Sequence, residues 1–371
     1  MMKKSLCEIS NPKQWKTIST DMLTETGYPV YGANGIIGYY STYNHDCETL
    51  LITCRGATCG SLNICQPFSY VNGNAMALDS LSADIDIRYL YYYLLNRGLN
   101  DVITGSAQPQ IVRQSLEKVI VEYPELSIQK SIVETLDKIS KIISLRKQQL
   151  SKLDELVKSR FIELFGDPFT NQMKWKKIKI EEAVTVEPQN GMYKPQSDYV
   201  TDGSGTPILR IDGFYDGVVT DFSSLKRLLC GDKEKQKYLL KEDDIVINRV
   251  NSIEYLGKCA HITGLLEETV YESNMMRMHF DSERFNPVYI TRLLCSRFLY
   301  DQIIGHAKKA VNQASINQKD VLDFDIYQPP IELQNQFAAF VEQTDKSKLE
   351  IQKSLEKLET LKKALMQKYF G

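Results

Sequence analysis

The most constraining feature of this sequence is an internal repeat that covers its longest helical segment. When the chain is shifted against itself by 205 positions, Gln129 aligns with Gln334 and Leu150 aligns with Leu355. The same register aligns Gln108 with Gln313, Ile111 with Ile316, Pro124 with Pro329, Leu153 with Leu358, Leu156 with Leu361, and Phe165-Gly166 with Phe370-Gly371. Since both copies must form the same structural unit, the repeat limits the fold more strongly than any single motif.

Each copy has the apolar spacing of a long amphipathic helix. In the first copy the apolar residues recur at heptad positions, and two arginines interrupt them. These residues are Leu136, Ile143, Leu150, Val157, Leu164, Ile132, Ile139 and Leu153, with Arg146 and Arg160 as the interruptions. The second copy has a shorter seam, formed by Ile351, Leu355, Leu358, Leu361 and Leu365. Because each helix alone would expose an apolar stripe, we expect the two helices, each roughly 54 Å long, to pack together.

The length of 371 residues is typical of two or three domains. Trp15 and Trp175 lie in similar contexts 160 positions apart, and they predict the start of each copy. Since the helices are 205 positions apart, we expect about 45 additional residues between the second tryptophan and its helix. The predicted domains are residues 1–123 and 167–328, each of mixed α/β structure, followed by helical regions at residues 124–166 and 329–371.

The formal net charge of −2 argues against a protein that coats nucleic acid non-specifically. The sequence has no signal-peptide pattern and no apolar run of membrane-spanning length, which with irregular cysteine spacing indicates a reduced, cytoplasmic protein. Four cysteines are close in sequence but lack the two-residue spacing typical of zinc ligands. We therefore expect buried thiols on strands, and no metal, at Cys47, Cys54, Cys59 and Cys65.

Both copies contain an apolar strand that is followed by an arginine and then by a glycine. In the first copy the strand at residues 49–53 leads to Arg55 and Gly60, and in the second the strand at residues 243–248 leads to Arg249 and Gly257. An arginine on a loop at the end of a rigid strand suits binding, and an ordinary surface arginine is the alternative.

A helix rich in tyrosine and leucine is predicted around residues 87–95, and a related helix around residues 288–294. Its tyrosines could stack on bases, but this mixture at helical spacing is more typical of a core, which we favour. A polar link with amide side chains follows each helix, at residues 105–110 and 311–315. These amides can bind base edges or the backbone of a turn.

The sequence contains no signature of catalysis. It lacks a Gly-x-x-x-x-Gly-Lys-Ser/Thr loop, a Gly-x-Ser-x-Gly elbow and a His-Glu-x-x-His helix, and its four histidines are scattered. The adjacent carboxylates at Asp243-Asp244 and Glu267-Glu268 are expected to be solvated surface groups. These patterns indicate a protein that binds and positions other molecules, without a cofactor.

Across essentially the whole chain, the order of these motifs resembles the DNA-specificity subunit of type I restriction-modification systems. The similar stretches are Tyr28 to Gly38, Pro124 to Gln129, Leu164 to Pro168 leading to Trp175, and Asp244 to Lys258. The resemblance implies an α+β fold in which two mixed α/β target-recognition domains are separated by two long helices forming an antiparallel coiled coil. It also implies a non-catalytic subunit that recognises a bipartite, asymmetric target on double-stranded DNA. The implied partners are two methyltransferase (modification) subunits and restriction/translocase subunits.

Under this resemblance the loops of each recognition domain supply the candidate DNA contacts. Arginine is the usual partner of guanine, and amides pair with adenine. The candidate base contacts are Arg55, Asn74, Gln108, Gln110, Arg249, Asn251, Asn274, Asn312 and Gln313. The candidate phosphate contacts, which position without specifying, are Lys258, Lys308 and Lys309. For each residue an ordinary surface role is the alternative.

Other functions remain possible at the level of the sequence. A specificity subunit of another restriction class would pair with a fused nuclease-methyltransferase. A coiled-coil scaffold would have no role on DNA. A single-chain DNA enzyme would need a catalytic cluster that the sequence does not display.

Overall fold

The structure, a computed structural model, describes residues 1–105, 108–311 and 313–371. The chain divides into two compact units. Unit 1 comprises Met1–Gln149 and Ile351–Gly371, and unit 2 comprises Leu150–Glu350. Each unit therefore contains one α/β region and one part of each long helix.

Unit 1 begins with an α/β region of small antiparallel and mixed sheets. Its strands are β1 (Met2–Ser5), β2 (Asn11–Gln14), β3 (Tyr28–Gly32), β4 (Gly35–Tyr40), β5 (Thr49–Thr53), β6 (Leu62–Cys65), β7 (Tyr70–Val71), β8 (Ala75–Asp79) and β9 (Ile120–Tyr123). Its helices are α1 (Leu6–Ile9), α2 (Ile87–Arg97), α3 (Arg113–Leu116) and the first part of α4 (Leu126–Phe165). The strands form sheets in the orders β2-β8-β5-β6, β4-β3-β7 and β1-β9.

The core of unit 1 lies between β5 and α2. Every residue of β5 is buried, which explains its uninterrupted apolar run. Asp86 caps α2, because its carboxylate accepts hydrogen bonds from the backbone N–H groups of Arg88 and Tyr89. Tyr89 and Tyr92 are buried in the same cluster as β5 side chains. The prediction that this tyrosine-rich helix belongs to the core is therefore confirmed.

Unit 2 repeats this plan with additional strands. Its strands are β10 (Lys176–Lys179), β11 (Val184–Asn190), β12 (Tyr199–Val200), β13 (Thr206–Leu209), β14 (Phe214–Tyr215), β15 (Gly217–Val219), β16 (Lys226–Leu228), β17 (Ile245–Asn248), β18 (Val250–Asn251), β19 (Cys259–His261), β20 (Val270–Tyr271), β21 (Met275–Phe280), β22 (Lys308–Lys309), β23 (Ala314–Ser315) and β24 (Asp325–Gln328). Its helices are the end of α4, then α5 (Asp232–Lys237), α6 (Pro287–Leu294), α7 (Arg297–His306), α8 (Gln318–Leu322) and the first part of α9 (Ile331–Phe370). The sheet orders are β11-β21-β17-β19-β15-β14, β12-β16-β13-β20, β18-β23-β22 and β10-β24.

Helices α4 and α9 each run for 40 residues, or about 60 Å. In unit 1, Leu136 of α4 shares the core cluster with Met366 of α9. Further along α4, Lys147 Nζ lies 2.9 Å from the carboxylate of Glu359, a residue that precedes Met366 in α9. The helix segments of unit 1 are therefore antiparallel, and the two long helices expected from the repeat are confirmed.

The helix segments of unit 2 have the same antiparallel arrangement. The Asp154 carboxylate lies 2.6 Å from Lys348 Nζ, and the ring of Phe161 packs edge-on against Phe337 with centroids 5.5 Å apart. Contacts further along α4 are therefore made with residues nearer the start of α9. Phe165 and Tyr289 join this contact, with ring centroids 4.6 Å apart, so α6 is part of the same core.

One residue of the expected seam lies outside it. Leu361 is 48% exposed, whereas Met366 is buried. In the last turns of α9, the Phe370 ring packs against Tyr89 of α2, with centroids 5.3 Å apart. The buried face of α9 is therefore set by α2 as well as by α4, and a heptad pattern that considers only a helical partner places Leu361 wrongly.

A buried glutamine joins the start of each long helix to its α/β region. Gln129 accepts a hydrogen bond from the N–H of Asp86 at 2.9 Å, and its amide donates to the carbonyls of Asp84 and Pro124 at 2.8 Å. Gln334 makes the same three types of bond, at 2.8 to 3.0 Å. Both side chains are completely buried. These contacts explain why the repeat retains a glutamine at this position.

The start of the repeat differs from the one that the tryptophans predict. Met2 of β1 pairs with Tyr123 of β9, and Lys176 of β10 pairs with Gln328 of β24. These equivalent first strands are 174 positions apart, and the helices are 205 apart, so unit 2 carries 31 additional residues. The difference of 45 residues counted from the tryptophans is confirmed by the helix starts, but it overstates the insertion, because Trp175 precedes β10 whereas Trp15 follows β2.

In the described residues, no helix combines the length and the low charge that a membrane span requires.

Candidate functional site

In unit 1, three candidate residues meet where the central strand ends. The N–H of Cys54 donates to the carbonyl of Asn74 at 3.0 Å, and the N–H of Ile111 donates to the carbonyl of Cys54 at 3.0 Å. The next residue, Arg55, forms an isolated β-bridge with Gln110. The side chains of Arg55, Asn74 and Gln110 are all exposed. The turn before β8 and the segment after α2 therefore meet at the end of β5.

Gln108 lies on the same segment. The N–H of Gly56 donates to the carbonyl of Pro109 at 3.1 Å, so the loop after β5 follows this segment closely. Gln108 is exposed. Four of the candidate residues thus form one exposed polar edge, which we call the unit 1 edge: Arg55, Asn74, Gln108 and Gln110.

Unit 2 has a corresponding junction at the end of β17. The N–H of Arg249 donates to the carbonyl of Asn274 at 2.8 Å, and the N–H of Ile316 donates to the carbonyl of Arg249 at 3.0 Å. Asn251 lies opposite Ala314 in the β18-β23 pair. Arg249, Asn251 and Asn274 are all half-buried. The structure therefore brings these three candidates together, as it does their counterparts in unit 1.

The two lysines of β22 lie on the same small sheet. Lys308 pairs with Ser315 and Lys309 pairs with Ala314, and both lysine side chains are exposed. Gln313 is exposed in the turn that joins β22 to β23, where its carbonyl accepts a hydrogen bond from Ala310 at 2.7 Å. Asn312 lies outside the described residues. The described members of the unit 2 edge are Arg249, Asn251, Asn274, Lys308, Lys309 and Gln313.

The two strand-end arginines occupy different positions. The residue that donates to Asn274 is Arg249, but the residue that donates to Asn74 is Cys54. Arg55 therefore lies one residue further beyond the end of its strand than Arg249 does. Because side chains alternate between the two faces of an extended strand, this shift turns the side chain to the other side. The two arginines are therefore not structurally equivalent.

The shift gives the arginines different environments. Arg55 is exposed, whereas Arg249 is half-buried. Arg249 Nη1 donates to the carbonyl of Ser273 at 3.1 Å, and its Nε is buried without a hydrogen-bond partner among the described residues. The guanidinium of Arg249 is thus held by the turn before β21, and less of its side-chain freedom remains to be lost on binding.

Lys258 is not a free surface cation. Its Nζ lies 3.3 Å from the ring centroid of Tyr215, with the rings of Phe214 and Tyr255 at 5.1 and 5.8 Å. Burial lowers the pKa of Lys258, although the nearby carboxylate of Asp216 acts in the opposite direction. An ammonium in this position is stabilised by the aromatic rings. Its expected contact with phosphate would therefore require the side chain to leave them.

Sequence reasoning missed two polar residues beside the unit 2 edge. Asn248, the last residue of β17, is completely buried, and neither side-chain polar atom has a partner among the described residues. Arg210 directly follows β13, with Nε 3.9 Å from Glu272 and the guanidinium 5.7 Å from the Tyr199 ring centroid. The available signal was the same one used for Arg249, since Arg210 also follows an apolar strand.

The adjacent carboxylates differ from the expectation that they are solvated. Asp244 is completely buried, where it lies 3.2 Å from Arg277 Nη1 and 3.1 Å from His279 Nδ1. Asp243 is exposed and lies 2.8 Å from His261 Nε2. Asp244 is therefore a paired buried charge, and the surface prediction was wrong for it.

The carboxylates of the other adjacent pair have cationic partners at the surface. Glu267 binds Arg227 at 2.6 Å, and Glu268 binds Lys235 at 2.6 Å. Within the part of the chain that the structure describes, no group of three or more His, Cys, Asp and Glu side chains is arranged to hold a metal ion.

The sequence matches a protein-family model for the type I restriction modification DNA specificity domain, over residues 1–155 and 172–363. The chain belongs to this family. Each matched stretch ends within one of the long helices, so one copy of the type I DNA specificity domain includes an α/β region and most of the helix that follows it.

Curated members of the family are similar to parts of this chain. A putative type I restriction enzyme MjaX specificity subunit of Methanocaldococcus jannaschii is 33% identical over 184 residues, which cover 49% of this chain and 42% of that protein. The type I restriction enzyme EcoKI specificity subunit of Escherichia coli is 22% identical over 294 residues, which cover 75% of this chain and 62% of that protein. The matched region is thus less than two thirds of the length of either relative.

Solved structures share the fold over the whole chain. The S subunit of a type I restriction-modification system from M. genitalium superposes with a TM-score of 0.67 at 15% identity, covering 100% of this chain and 96% of that chain. A second structure, from work on complex assembly and conformational transition of the type I system, gives a TM-score of 0.58 at 15% identity, with coverage of 100% and 97%. The α+β fold with two long helices, predicted from the sequence, is confirmed.

Proposed function

We propose that this chain is a non-catalytic specificity subunit that recognises a bipartite, asymmetric DNA target. The observation that carries the proposal is the junction at the end of β5, which recurs at the end of β17 with the same backbone hydrogen bonds. At each junction, cationic and amide side chains form one edge of a rigid sheet. Arginine and amide groups can bind the edges of bases in the major groove. Each unit would therefore recognise one half of the target.

The two edges differ in charge, which favours two different half-targets. The unit 1 edge has one cation, Arg55, and otherwise amides, whereas the unit 2 edge has Arg249 together with Lys308 and Lys309. Lysines of this kind contact phosphates and position a protein on the duplex. The functional division that we propose is recognition by residues 1–123 and 167–328, and spacing by residues 124–166 and 329–371.

The partners in this proposal are two methyltransferase (modification) subunits and restriction/translocase subunits. The names of the similar proteins describe them as specificity subunits of type I restriction enzymes. The net charge of this chain is −2, whereas a chain that binds DNA phosphates alone would need an excess of positive charge. Partner subunits would therefore supply much of the contact with phosphates. We further propose a cytoplasmic location, where such a complex meets DNA.

Methylome sequencing of cells with and without the gene tests this proposal. We expect methylated adenines within a split motif in the parent cells and their loss in the deletion strain, with recovery on complementation. A chain purified with its methyltransferase partners should enrich the same split motif from a random DNA library. Enrichment of no motif would contradict the proposal, and DNA cleavage or methyl transfer by the isolated chain would contradict its non-catalytic part.

A further inference from the structure

Two cysteine thiols face each other in the core of unit 2. Cys259 lies in β19 and Cys295 follows the last residue of α6, and their Sγ atoms are 3.3 Å apart. Cys259 is completely buried, whereas Cys295 is exposed. Cys295 also lines a cavity of about 420 Å³ together with Arg292 and Ser296. The pair therefore joins one residue at the surface, beside a cavity, to one that is enclosed by the core.

The pKa values of the two thiols are shifted in opposite directions. A hydrogen bond from Cys259 lowers the pKa of Cys295, and Arg292 acts in the same direction, while burial and Asp216 oppose them. The same hydrogen bond and complete burial raise the pKa of Cys259. Since the thiolate is the nucleophilic form of cysteine, the accessible residue of the pair is also the reactive one.

We propose that Cys259 and Cys295 form a peroxide-reactive dithiol, with Cys295 as the attacking residue and Cys259 as the resolving residue. In the first step, the Cys295 sulfur bonds to one oxygen of hydrogen peroxide and the O–O bond breaks. The products are a sulfenic acid on Cys295 and one water molecule. In the second step, the Cys259 sulfur attacks the Cys295 sulfur, the S–O bond breaks, and the hydroxide leaves with the Cys259 proton as water.

The net reaction removes two electrons and two protons from the dithiol and reduces one peroxide to two water molecules. The Sγ separation must fall from 3.3 Å to about 2.05 Å when the bond forms. The bond would link β19 to α6 and close the loop between residues 259 and 295. It would therefore stabilise unit 2 against unfolding.

Peptide mapping of the full-length chain tests the proposal. The chain is treated with hydrogen peroxide, its remaining thiols are alkylated, and the peptides are analysed by mass spectrometry without reduction. Cys47 is the matched internal control, since it is also exposed and its thiol lies 4.0 Å from the hydroxyl of Thr49. We expect a linked peptide containing Cys259 and Cys295, forming about tenfold faster than Cys47 is oxidised. Absence of this peptide, or oxidation of Cys295 no faster than that of Cys47, would overturn the proposal.

Three variants separate the two steps. In Cys259→Ser, a sulfenic acid should accumulate on Cys295 and react with a dione probe. In Cys295→Ser, Cys259 should lose its reactivity toward peroxide, and Cys47→Ser should leave the linked peptide unchanged. Oxidation of Cys259 at the parent rate in Cys295→Ser would contradict the assigned roles. The peptide map of the parent chain does not depend on whether these variants fold, and it tests the dithiol independently of any DNA activity.

Discussion

At the scale of single residues, the strand-end arginines show how one position changes the role of a side chain. Arg55 extends into solvent, so its binding to a base would require ordering of a long, flexible side chain. Arg249 is half-buried and already bound to the carbonyl of Ser273. A preorganised guanidinium discriminates between bases more effectively than a mobile one, and we therefore expect Arg249 to contribute more to specificity.

The first prediction concerns Arg249→Ala. We expect binding of the methyltransferase complex to its own target to weaken by about 1–3 kcal/mol, because a bidentate arginine contact has roughly this value. Discrimination should fall within one half-target only, as measured by library selection or methylation sequencing. Arg297→Ala is the matched control, since Arg297 is an exposed arginine of the same unit that pairs with Asp301. Unchanged sequence preference in a folded Arg249→Ala complex would contradict the prediction.

The second prediction concerns Gln334→Ala. The substitution removes the side-chain partner of the N–H of Asn286 and of the carbonyls of Arg284 and Pro329, at a completely buried position. We expect the free energy of unfolding to fall by about 2–4 kcal/mol. Chemical denaturation monitored by circular dichroism measures the effect. Gln336→Ala is the control, because Gln336 is exposed two residues away. Equal stability of the two variants would show that the buried hydrogen bonds have little net effect.

At the scale of elements, the first strand of each α/β region pairs antiparallel with its last strand, directly before the long helix. In unit 2 this pair carries an ionic cluster, with Asp325 lying 2.5 Å from Lys177 Nζ and 3.0 Å from Lys179 Nζ. Burial alone would raise the pKa of Asp325, but the hydrogen bonds and charges of the two lysines outweigh it and lower the pKa. The β10-β24 pair is therefore stabilised by a charge that acid removes.

The third prediction concerns the pH dependence of this element. A carboxyl group with a lowered folded pKa contributes stability above its unfolded pKa of about 3.9, and loses it as the pH falls through the folded pKa. We expect Asp325→Asn to reduce the free energy of unfolding by about 0.5–1 kcal/mol at pH 7. The difference from the parent should shrink as the pH falls below about 4. Asp232→Asn is the control, since Asp232 is almost fully exposed. A difference that persists in acid would mean that the effect is not ionic.

At the scale of the whole molecule, the two copies of the repeat differ in the size of their α/β regions but not in the length of their long helices. The long helices are equal in length, at 40 residues each, whereas the α/β regions before them differ by 31 residues. Leu209 and Val246 of unit 2 correspond to Tyr31 and Leu51 of unit 1, because they have the same strand partners. Of the additional residues in unit 2, 17 lie between Leu209 and Val246. The region includes β14, β15, β16 and α5. Sequence recognition can therefore diverge while the helices remain matched.

The fourth prediction follows from the matched helices. Shortening α4 and α9 by the same number of turns should change the length of the spacer between the half-targets and leave both half-target sequences unaltered. Removing the same length from α4 alone should disrupt the antiparallel pairing, including the contact of Lys147 with Glu359. Methylation sequencing measures the spacer, and size-exclusion chromatography measures assembly with the methyltransferase subunits. An unchanged spacer in the doubly shortened chain would contradict the proposed role of the helices.

Sequence patterns alone determined the features that depend on local periodicity and on repetition. The 205-residue offset and the apolar spacing predict two long helices, and the buried tyrosine-rich helix follows from its composition. These predictions succeed because amphipathic spacing directly reflects which face of a helix must be buried. The family resemblance, which depends on the order of motifs, also needs no tertiary information.

Only the tertiary structure decided which face each strand-end residue occupies. The offset between Arg55 and Arg249 depends on hydrogen bonds to Asn74 and Asn274, which are distant in sequence. The burial of Asp244 beside Arg277 likewise depends on the β17-β21 pairing. In a strand with a side-chain period of two, a register difference of one residue reverses every side chain, and a single sequence contains no local signal of that register.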